Sequence, residues 1–217
     1  MSNSFKNIHC ITGLGADERA FERLKVNRCS LQHLQWLPVL ENENLRSYAG
    51  RMAKQLKEEN PVILGLSFGG MIAIEMAKQI KVETIILISS VKTYYELPKW
   101  MRVAGSLNLH KIIPIKTNRF TERADDRRMG IETAEEKNFV DQYRKSADQK
   151  HVDWGIDQIF NWKNSSIPSN VFHIHGEKDR MFPIKNIQPS HIIKNGTHIM
   201  ILNRADEISS CIEQILF

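Results

Sequence analysis

The chain has 217 residues, of which 41% are hydrophobic, and its net charge is +5 at neutral pH. This length suits one large core, so we expect a single domain with an insertion rather than two full domains. The cysteines number three and lie far apart, and no apolar run is long enough for a signal peptide or a bilayer span, which together predict a cytoplasmic protein with free thiols.

Short apolar runs alternate with helical patterns through roughly the first ninety residues, as is typical of a parallel α/β sheet. Asp17 is placed to cap a short helix after the first strand. Predicted helices span residues 45–56 and 69–80. The predicted strands of this part are Ile8–Thr12, Leu31–Leu37, Val62–Leu66 and Thr84–Ile88.

After Ser90 about eighty residues pass before the next convincing strand, and a structureless loop of that length is implausible in a compact domain. Helical segments at 132–145 and 153–162 indicate a helical insertion instead. Strands at Val171–Ile174 and His191–Ile193 then precede a closing helix at 205–216.

A Gly-x-Ser-x-Gly motif directly follows the third predicted strand. Residues 62–70 read Val-Ile-Leu-Gly-Leu-Ser-Phe-Gly-Gly, and a helical segment begins at once. A serine at such a strand-to-helix turn has a strained backbone, and Gly65 and Gly69 are small enough for the chain to pass close to itself. The motif indicates a nucleophilic Ser67, although a glycine-rich turn whose serine only caps the helix has the same pattern.

A serine needs a base to remove its proton, and a histidine base needs a carboxylate to orient it. Asp179 follows one of the last predicted strands in a polar loop, and His198 lies just beyond the other. Because the carboxyl ends of parallel strands meet at one edge, both side chains should lie near Ser67. His173 and His175 alternate on one strand, but no third ligand is evident, so we predict no metal site.

These motifs resemble the α/β-hydrolase superfamily over essentially the whole chain. The resemblance rests on residues 65–70 as the nucleophile elbow, 175–183 as the loop of the acid and 196–198 as the loop of the histidine. More narrowly, residues 10–19 look like the start of a group of short bacterial hydrolases whose substrates are not established.

The resemblance implies a catalytic triad of Ser67, His198 and Asp179. It also implies that the backbone N–H groups of Leu14 and Phe68 form the oxyanion hole, since two amides at adjacent strand ends can point at one developing oxyanion. No organic cofactor and no metal is expected with this machinery.

The chain departs from the family pattern at two positions. Thr12 stands where many relatives have a histidine before the first glycine, and Thr197 stands where a glycine often precedes the histidine. Glu177 is the rival carboxylate in the acid loop, and Asp179 is preferred for its place in the motif.

The fold expected from the resemblance is the α/β-hydrolase fold, with about six mostly parallel strands flanked by helices. The first predicted strand corresponds to the family's third, so no leading antiparallel hairpin is expected. We predict a core formed by residues 1–91 and 168–217, with residues 92–167 inserted as a helical cap over the catalytic edge.

The predicted cap contains a basic stretch without acidic residues. One interpretation is a solvated helix face without a specific role, and the other is a docking surface for an acidic acyl carrier. Sparse basic residues and few aromatics make a nucleic-acid partner the poorer interpretation. The basic residues of this stretch are Lys99, Arg102, Lys111, Lys116 and Arg119.

The sequence thus favours a serine hydrolase that cleaves a small-molecule carboxylic ester or thioester through an acyl-enzyme, as a carboxylesterase or thioesterase would. A thioester carried on an acyl carrier or on coenzyme A is an alternative. The same fold also serves C–C bond hydrolases, lyases and cofactor-free haloperoxidases, so a different reaction on the same residues stays open. A non-catalytic binding protein is the least favoured hypothesis.

Overall fold

A parallel sheet forms the centre of the protein in a computed structural model that describes residues 5–107 and 119–217, with side chains from Glu122 onward in the second range. Each strand pairs in parallel with its neighbours, in the order β2-β1-β3-β4-β5-β6. The strands are β1 (Lys6–Ile11), β2 (Cys29–His33), β3 (Val62–Leu66), β4 (Thr84–Ile88), β5 (Val171–Gly176) and β6 (His191–Ile193). This confirms the predicted α/β class with six strands.

Helices connect and cover the strands. Short 3₁₀ turns lie at Glu18–Phe21, Tyr94–Glu96 and Ile184–Asn186. In the described residues the α-helices are α1 (Leu45–Ala53), α2 (Phe68–Ala77), α3 (Lys99–Ser106), α4 (Arg119–Met129), α5 (Ala134–Ser146), α6 (Gln149–Asn161), α7 (Met200–Asn203) and α8 (Ala205–Leu216).

Apolar side chains fill both faces of the sheet. On one face α1 and α2 contribute Tyr48, Met52 and Ile72 to a cluster that includes Ile63 and Ile85. On the other face α8 contributes Ile208 and Ile212 to a cluster that includes residues of β1, β3 and β4. Strands buried on both faces are expected to be apolar throughout, which is why β3 and β4 have no polar alternation.

The second strand is shorter and earlier than predicted, at Cys29–His33 rather than Leu31–Leu37. The Leu34 N–H still donates to the Cys10 carbonyl of β1 at 3.0 Å, but the residues after it leave the ladder because their polar groups bond elsewhere. Trp36 Nε1 donates to Thr12 Oγ1 at 2.8 Å, and the Leu37 N–H donates to the Tyr48 hydroxyl at 2.9 Å. These contacts bring residues 34–37 under the carboxyl end of β1.

Helices between β4 and β5 pack over the carboxyl edge of the sheet. Gly105 of α3 lies against the Phe160 carbonyl of α6, and Gly155 of α6 lies against the Leu14 side chain in the turn after β1. Met101 is buried there, whereas Trp100 is 47% exposed. The helical insertion is therefore present, and its predicted role as a cap is taken up below.

None of the helices in the described ranges combines the length and the apolar character that crossing a membrane would need.

The order of the strands reverses at β1, since β2 lies on one side of it and β3 on the other. In open α/β sheets, ligands bind outside the carboxyl ends of the strands at such a reversal. This crevice lies between the turn after β1 and the turn that contains Ser67.

Candidate active site

Ser67 lies in a strained turn between β3 and α2. Its φ is 51° and its ψ is −117°, a backbone conformation that non-glycine residues rarely adopt. A Cβ on Gly65 would lie 2.5 Å from Gly70 Cα, and a Cβ on Gly69 would overlap the Ile11 carbonyl oxygen. Only residues without a side chain let α2 begin so close to β3 and β1.

Hydrogen bonds to the backbone hold this conformation. The Ser67 N–H donates to the Ile88 carbonyl at 2.9 Å, and the Ser90 hydroxyl donates to the Ser67 carbonyl at 2.6 Å. The Ser67 hydroxyl makes no capping bond to α2. Ser67 therefore does not cap α2 with its side chain, as the alternative interpretation required.

The three residues predicted to form the triad lie together. Ser67 Oγ is 3.0 Å from His198 Nε2, and His198 Nδ1 is 2.8 Å from Asp179 Oδ2. An ionised carboxylate only accepts, so Nδ1 carries the proton and Nε2 presents its lone pair to the serine hydroxyl. Asp179 and His198 are buried, whereas Ser67 is partly accessible. The arrangement has the geometry of a nucleophile, a base and a group that orients the base.

The acid loop holds Asp179 as a charged acceptor. Burial alone would raise the pKa of this carboxyl, but the His198 charge and hydrogen bond, together with the Phe182 N–H at 2.8 Å, lower it below its usual value. Glu177, the rival carboxylate, instead accepts the Asn195 N–H at 2.9 Å. The structure brings Asp179 to His198 and leaves Glu177 outside this contact.

Two further histidines lie behind the acid loop, and the sequence did not predict a role for them. His175 Nε2 is 2.8 Å from the Phe182 carbonyl, and its Nδ1 is 3.1 Å from His173 Nε2. A carbonyl only accepts, so His175 Nε2 must be the donor and its Nδ1 must accept from His173. His173 Nδ1 is then left buried without a partner in the described residues. The position of His175 four residues before Asp179 was the one feature of the sequence that could have indicated its place beside the acid loop.

Both of these histidines are neutral at physiological pH. Burial holds the pKa of His173 well below its usual value, with smaller effects from His175 and Lys92. Burial also lowers the pKa of His175, against the opposing attraction of Asp179, whose Oδ2 is 3.6 Å from Nε2. In the described residues no group of three His, Cys, Asp or Glu side chains could hold a metal ion. The pair therefore acts as hydrogen-bonded support for the carbonyl of Phe182.

The turn after β1 brings Gly13, the residue before Leu14, close to Ser67. A Cβ on Gly13 would lie 3.5 Å from Ser67 Cβ, which sets how close the two turns are. Thr12, at the position where relatives often have histidine, donates its hydroxyl to the Ala16 carbonyl at 2.9 Å and accepts from Trp36 Nε1. Thr12 thus closes this turn by its own side chain.

Aromatic side chains surround the entrance to the two turns. The Phe68 ring stacks on Trp36 at 6.2 Å and meets Trp154 of α6 edge-on at 5.9 Å. His151 lies 4.6 Å from the Trp36 ring and 3.3 Å from the Tyr48 hydroxyl. This packing connects α6 to the nucleophile turn.

The basic stretch predicted to receive an acidic carrier is only partly described. Lys99 is exposed on α3, and the Arg102 guanidinium lies 5.6 Å from the Tyr94 ring. Lys111 and Lys116 lie outside the described residues, as does the side chain of Arg119.

No protein-family model matches this sequence, and no curated protein sequence matches it. Several solved structures do match the fold of this chain. A thermophilic esterase from Thermogutta terrifontis has a TM-score of 0.75 at 14% identity, with 98% of this chain and 90% of that chain covered.

Two further solved structures are similar over nearly the full chain. MenH from S. aureus has a TM-score of 0.71 at 15% identity, covering 98% of this chain and 94% of its own. The 2-hydroxy-6-oxo-6-phenylhexa-2,4-dienoate hydrolase BphD from Rhodococcus sp. strain RHA1 has a TM-score of 0.67 at 13% identity, covering 99% and 91%. Likeness at these identities establishes the α/β-hydrolase fold, as the resemblance of the motifs predicted.

The close approach at Gly65 predicts a specific effect on stability. Gly65→Ala should lower the free energy of unfolding by about 3 kcal/mol or more, because the added methyl meets backbone atoms that cannot move aside. Gly13→Ala is the matched control, since its methyl finds 3.5 Å to the nearest atom and should cost about 1 kcal/mol or less. Urea unfolding of both variants measures this, and equal losses would contradict it.

The neutral histidine pair predicts the pH dependence of stability. His173 has a lower pKa in the folded than in the unfolded state, so the unfolded chain binds more protons below about pH 6.5 and stability falls as the pH drops. His173→Gln keeps a donor for His175 and removes the titration. Its unfolding free energy should fall less steeply below pH 6.5, by up to about 1.4 kcal/mol per pH unit. Parallel curves from urea unfolding between pH 7.5 and 5 would count against it.

Proposed function

We propose that this protein is a serine hydrolase that cleaves a carboxylic ester or thioester through an acyl-enzyme. The observation that carries the proposal is the pair of contacts at 3.0 Å and 2.8 Å that connects Ser67 through His198 to Asp179. The positive φ of Ser67 supports it, because strain of this kind persists where the surrounding structure holds a functional group in place.

The reaction begins when Ser67 Oγ attacks the carbonyl carbon and its proton passes to His198 Nε2. The tetrahedral intermediate collapses as His198 gives the proton to the departing oxygen or sulfur, leaving the acyl group on Ser67. Water then attacks the ester carbon, its proton passes to His198, and the bond to Ser67 Oγ breaks as that oxygen takes the proton back. Asp179 keeps His198 in the productive tautomer and stabilises its positive charge.

The backbone N–H groups of Leu14 and Phe68 are the proposed oxyanion hole. Phe68 opens α2 directly after the nucleophile, and Leu14 lies in the turn whose Gly13 faces Ser67. In the described part of the chain neither N–H has an acceptor assigned to it. Two free amides beside the attacking oxygen can bind the charge that develops on the carbonyl oxygen.

The proposed cap is formed by residues 92–167, between a core of residues 1–91 and 168–217. Its α6 covers the turn after β1 through Gly155 and Leu14, and its Trp154 meets Phe68. The acyl group bound to Ser67 would therefore lie between the sheet edge and α6. An acyl carrier that docks near Lys99 is part of the same proposal and would bring a thioester to this edge.

A second reaction on the same residues has support from the comparisons. One similar structure is named an esterase, and another is named a hydrolase of 2-hydroxy-6-oxo-6-phenylhexa-2,4-dienoate, a substrate that carries a ketone and no ester bond. A panel of esters, thioesters and vinylogous 1,5-diketones, with products identified by mass spectrometry, separates the two reactions.

Labelling by a fluorophosphonate probe tests whether Ser67 is activated. The wild-type protein should be labelled and Ser67→Ala should not, with ester turnover lowered about 10⁴-fold or more. Ser210→Ala, at an exposed serine of α8, is the matched control and should be labelled normally. A folded wild-type protein that resists the probe, or a labelled Ser67→Ala, would refute the proposal.

The hydroxyl of Thr12 is expected to matter for rate more than for binding. Thr12→Val removes the bond to the Ala16 carbonyl and the shorter of the two hydrogen bonds of Trp36 Nε1, so we expect the turn that contains Leu14 to lose its fixed direction. We expect kcat to fall about tenfold, less than for deletion of an oxyanion-hole donor, with KM changed little. Steady-state kinetics measure this, and a kcat within twofold of the wild-type value would show that Thr12 does not set the turn.

A further inference from the structure

An open cavity on the surface is lined by four exposed arginines. It has a volume of about 450 Å³ and is lined by Arg123, Ala124, Arg127 and Arg128 of α4 and by Arg180 of the acid loop. None of these residues belongs to the basic stretch that the sequence singled out. The cavity brings together positive charges from two parts of the chain that are far apart in sequence.

Ion pairs hold α4 against α5 beside these arginines. Asp126 accepts from Arg144 of α5 at 2.7 Å and lies 3.4 Å from Lys137. Arg123 and Arg127 are four residues apart, so they share one face of the helix. Asp126 lies beside this face and pairs with α5, whereas Arg123 and Arg127 line the cavity.

The arginines of the cavity are only weakly neutralised. Arg128 lies 3.9 Å from Asp125 and 4.9 Å from the Trp100 ring. Within the described ranges Arg123 and Arg127 have no carboxylate partner, and Arg180 donates to the Arg127 carbonyl at 3.4 Å. Converging like charges repel one another, and a bound anion relieves that repulsion.

Two contacts place the cavity near the predicted triad. Arg180 is the residue after Asp179, and its hydrogen bond ties the acid loop to α4. The residue after α4, Gly130, is in contact with Thr197, the residue before His198, because a Cβ on Gly130 would lie 2.5 Å from Thr197 Cβ. A substrate whose carbonyl lies at Ser67 could therefore extend past His198 toward the arginines.

We propose that this cavity binds an anionic group of the substrate, a carboxylate or a phosphate, at a distance from the bond that is cleaved. Guanidinium groups bind both anions through charge-assisted hydrogen bonds, and two arginines on one helix face can share one anion. The inference rests on the proposed hydrolase activity and narrows its substrates to esters or thioesters that carry a negative charge.

Matched substrates test the proposal and identify the anion. The carboxylate arm compares mono-4-nitrophenyl adipate and suberate with the neutral hexanoate and octanoate esters. The phosphate arm compares hexanoyl-coenzyme A with the hexanoyl thioester of N-acetylcysteamine. The wild-type protein should prefer the charged member in one arm by about tenfold or more in kcat/KM, which is the range of one charge-assisted hydrogen bond.

Arg127→Gln and, as a second variant, Arg123→Gln should each remove most of that preference and leave kcat/KM for the neutral member within twofold. Lys81→Gln is the matched control, because it removes one positive charge from an exposed position just before β4, at the opposite edge of the sheet. No preference in either arm, or an equal loss in Lys81→Gln, would overturn the proposal.

A binding measurement separates this inference from the proposed activity. Calorimetry of Ser67→Ala with monomethyl adipate and with coenzyme A should detect binding of at least one of them, and adding Arg127→Gln should abolish it. Binding without turnover by the wild-type protein would refute the hydrolase while supporting the anion site. Turnover of neutral esters without any such binding would refute the anion site alone.

Discussion

Backbone packed directly against backbone at the end of β3 determines where Ser67 lies, and the other groups of the candidate site meet it there. Gly65 faces Gly70 without room for a side chain, and Gly69 faces the carbonyl of Ile11 in the same way. Ser67 must then turn at a φ of 51°, which projects its hydroxyl beyond the edge of the sheet, where His198 reaches it. A side chain at either glycine would push α2 outward, so the loss would include the bond between serine and histidine as well as local packing.

Much of the fold could be predicted from the sequence because its central strands are buried on both faces. Val62–Leu66 and Thr84–Ile88 are unbroken apolar runs with clear ends, and the structure has them at those bounds. The edge strand β2 was less predictable. Its end depends on Trp36 bonding to Thr12, a contact between residues far apart in sequence that no local pattern contains.

Some residues of the candidate site could likewise be predicted from the sequence, and others could not. Ser67, Asp179 and His198 each follow a strand, so the parallel topology alone predicts that they meet at one edge. The arginines of α4 could not be found from charge patterning, because Asp125 and Asp126 lie between Arg123 and Arg127 in the sequence. In the structure Asp126 pairs with Arg144 of α5, while Arg123 and Arg127 line the cavity with Arg180. The sequence predicts the topology of the sheet and which residues share one face of a helix. It does not predict which neighbour that face packs against.

The acid loop also keeps its charges apart, and this bears on the charge that Asp179 presents to His198. In the described residues Asp179 has its ion pair at 2.8 Å with His198, while Arg180 turns away to the Arg127 carbonyl. A guanidinium bound to Asp179 would offset the negative charge that stabilises protonated His198. His175 lies close to Asp179 as well, but burial lowers its pKa and keeps it neutral. The carboxylate therefore stabilises the charge on one imidazole, and the Arg180 charge stays free to face the cavity.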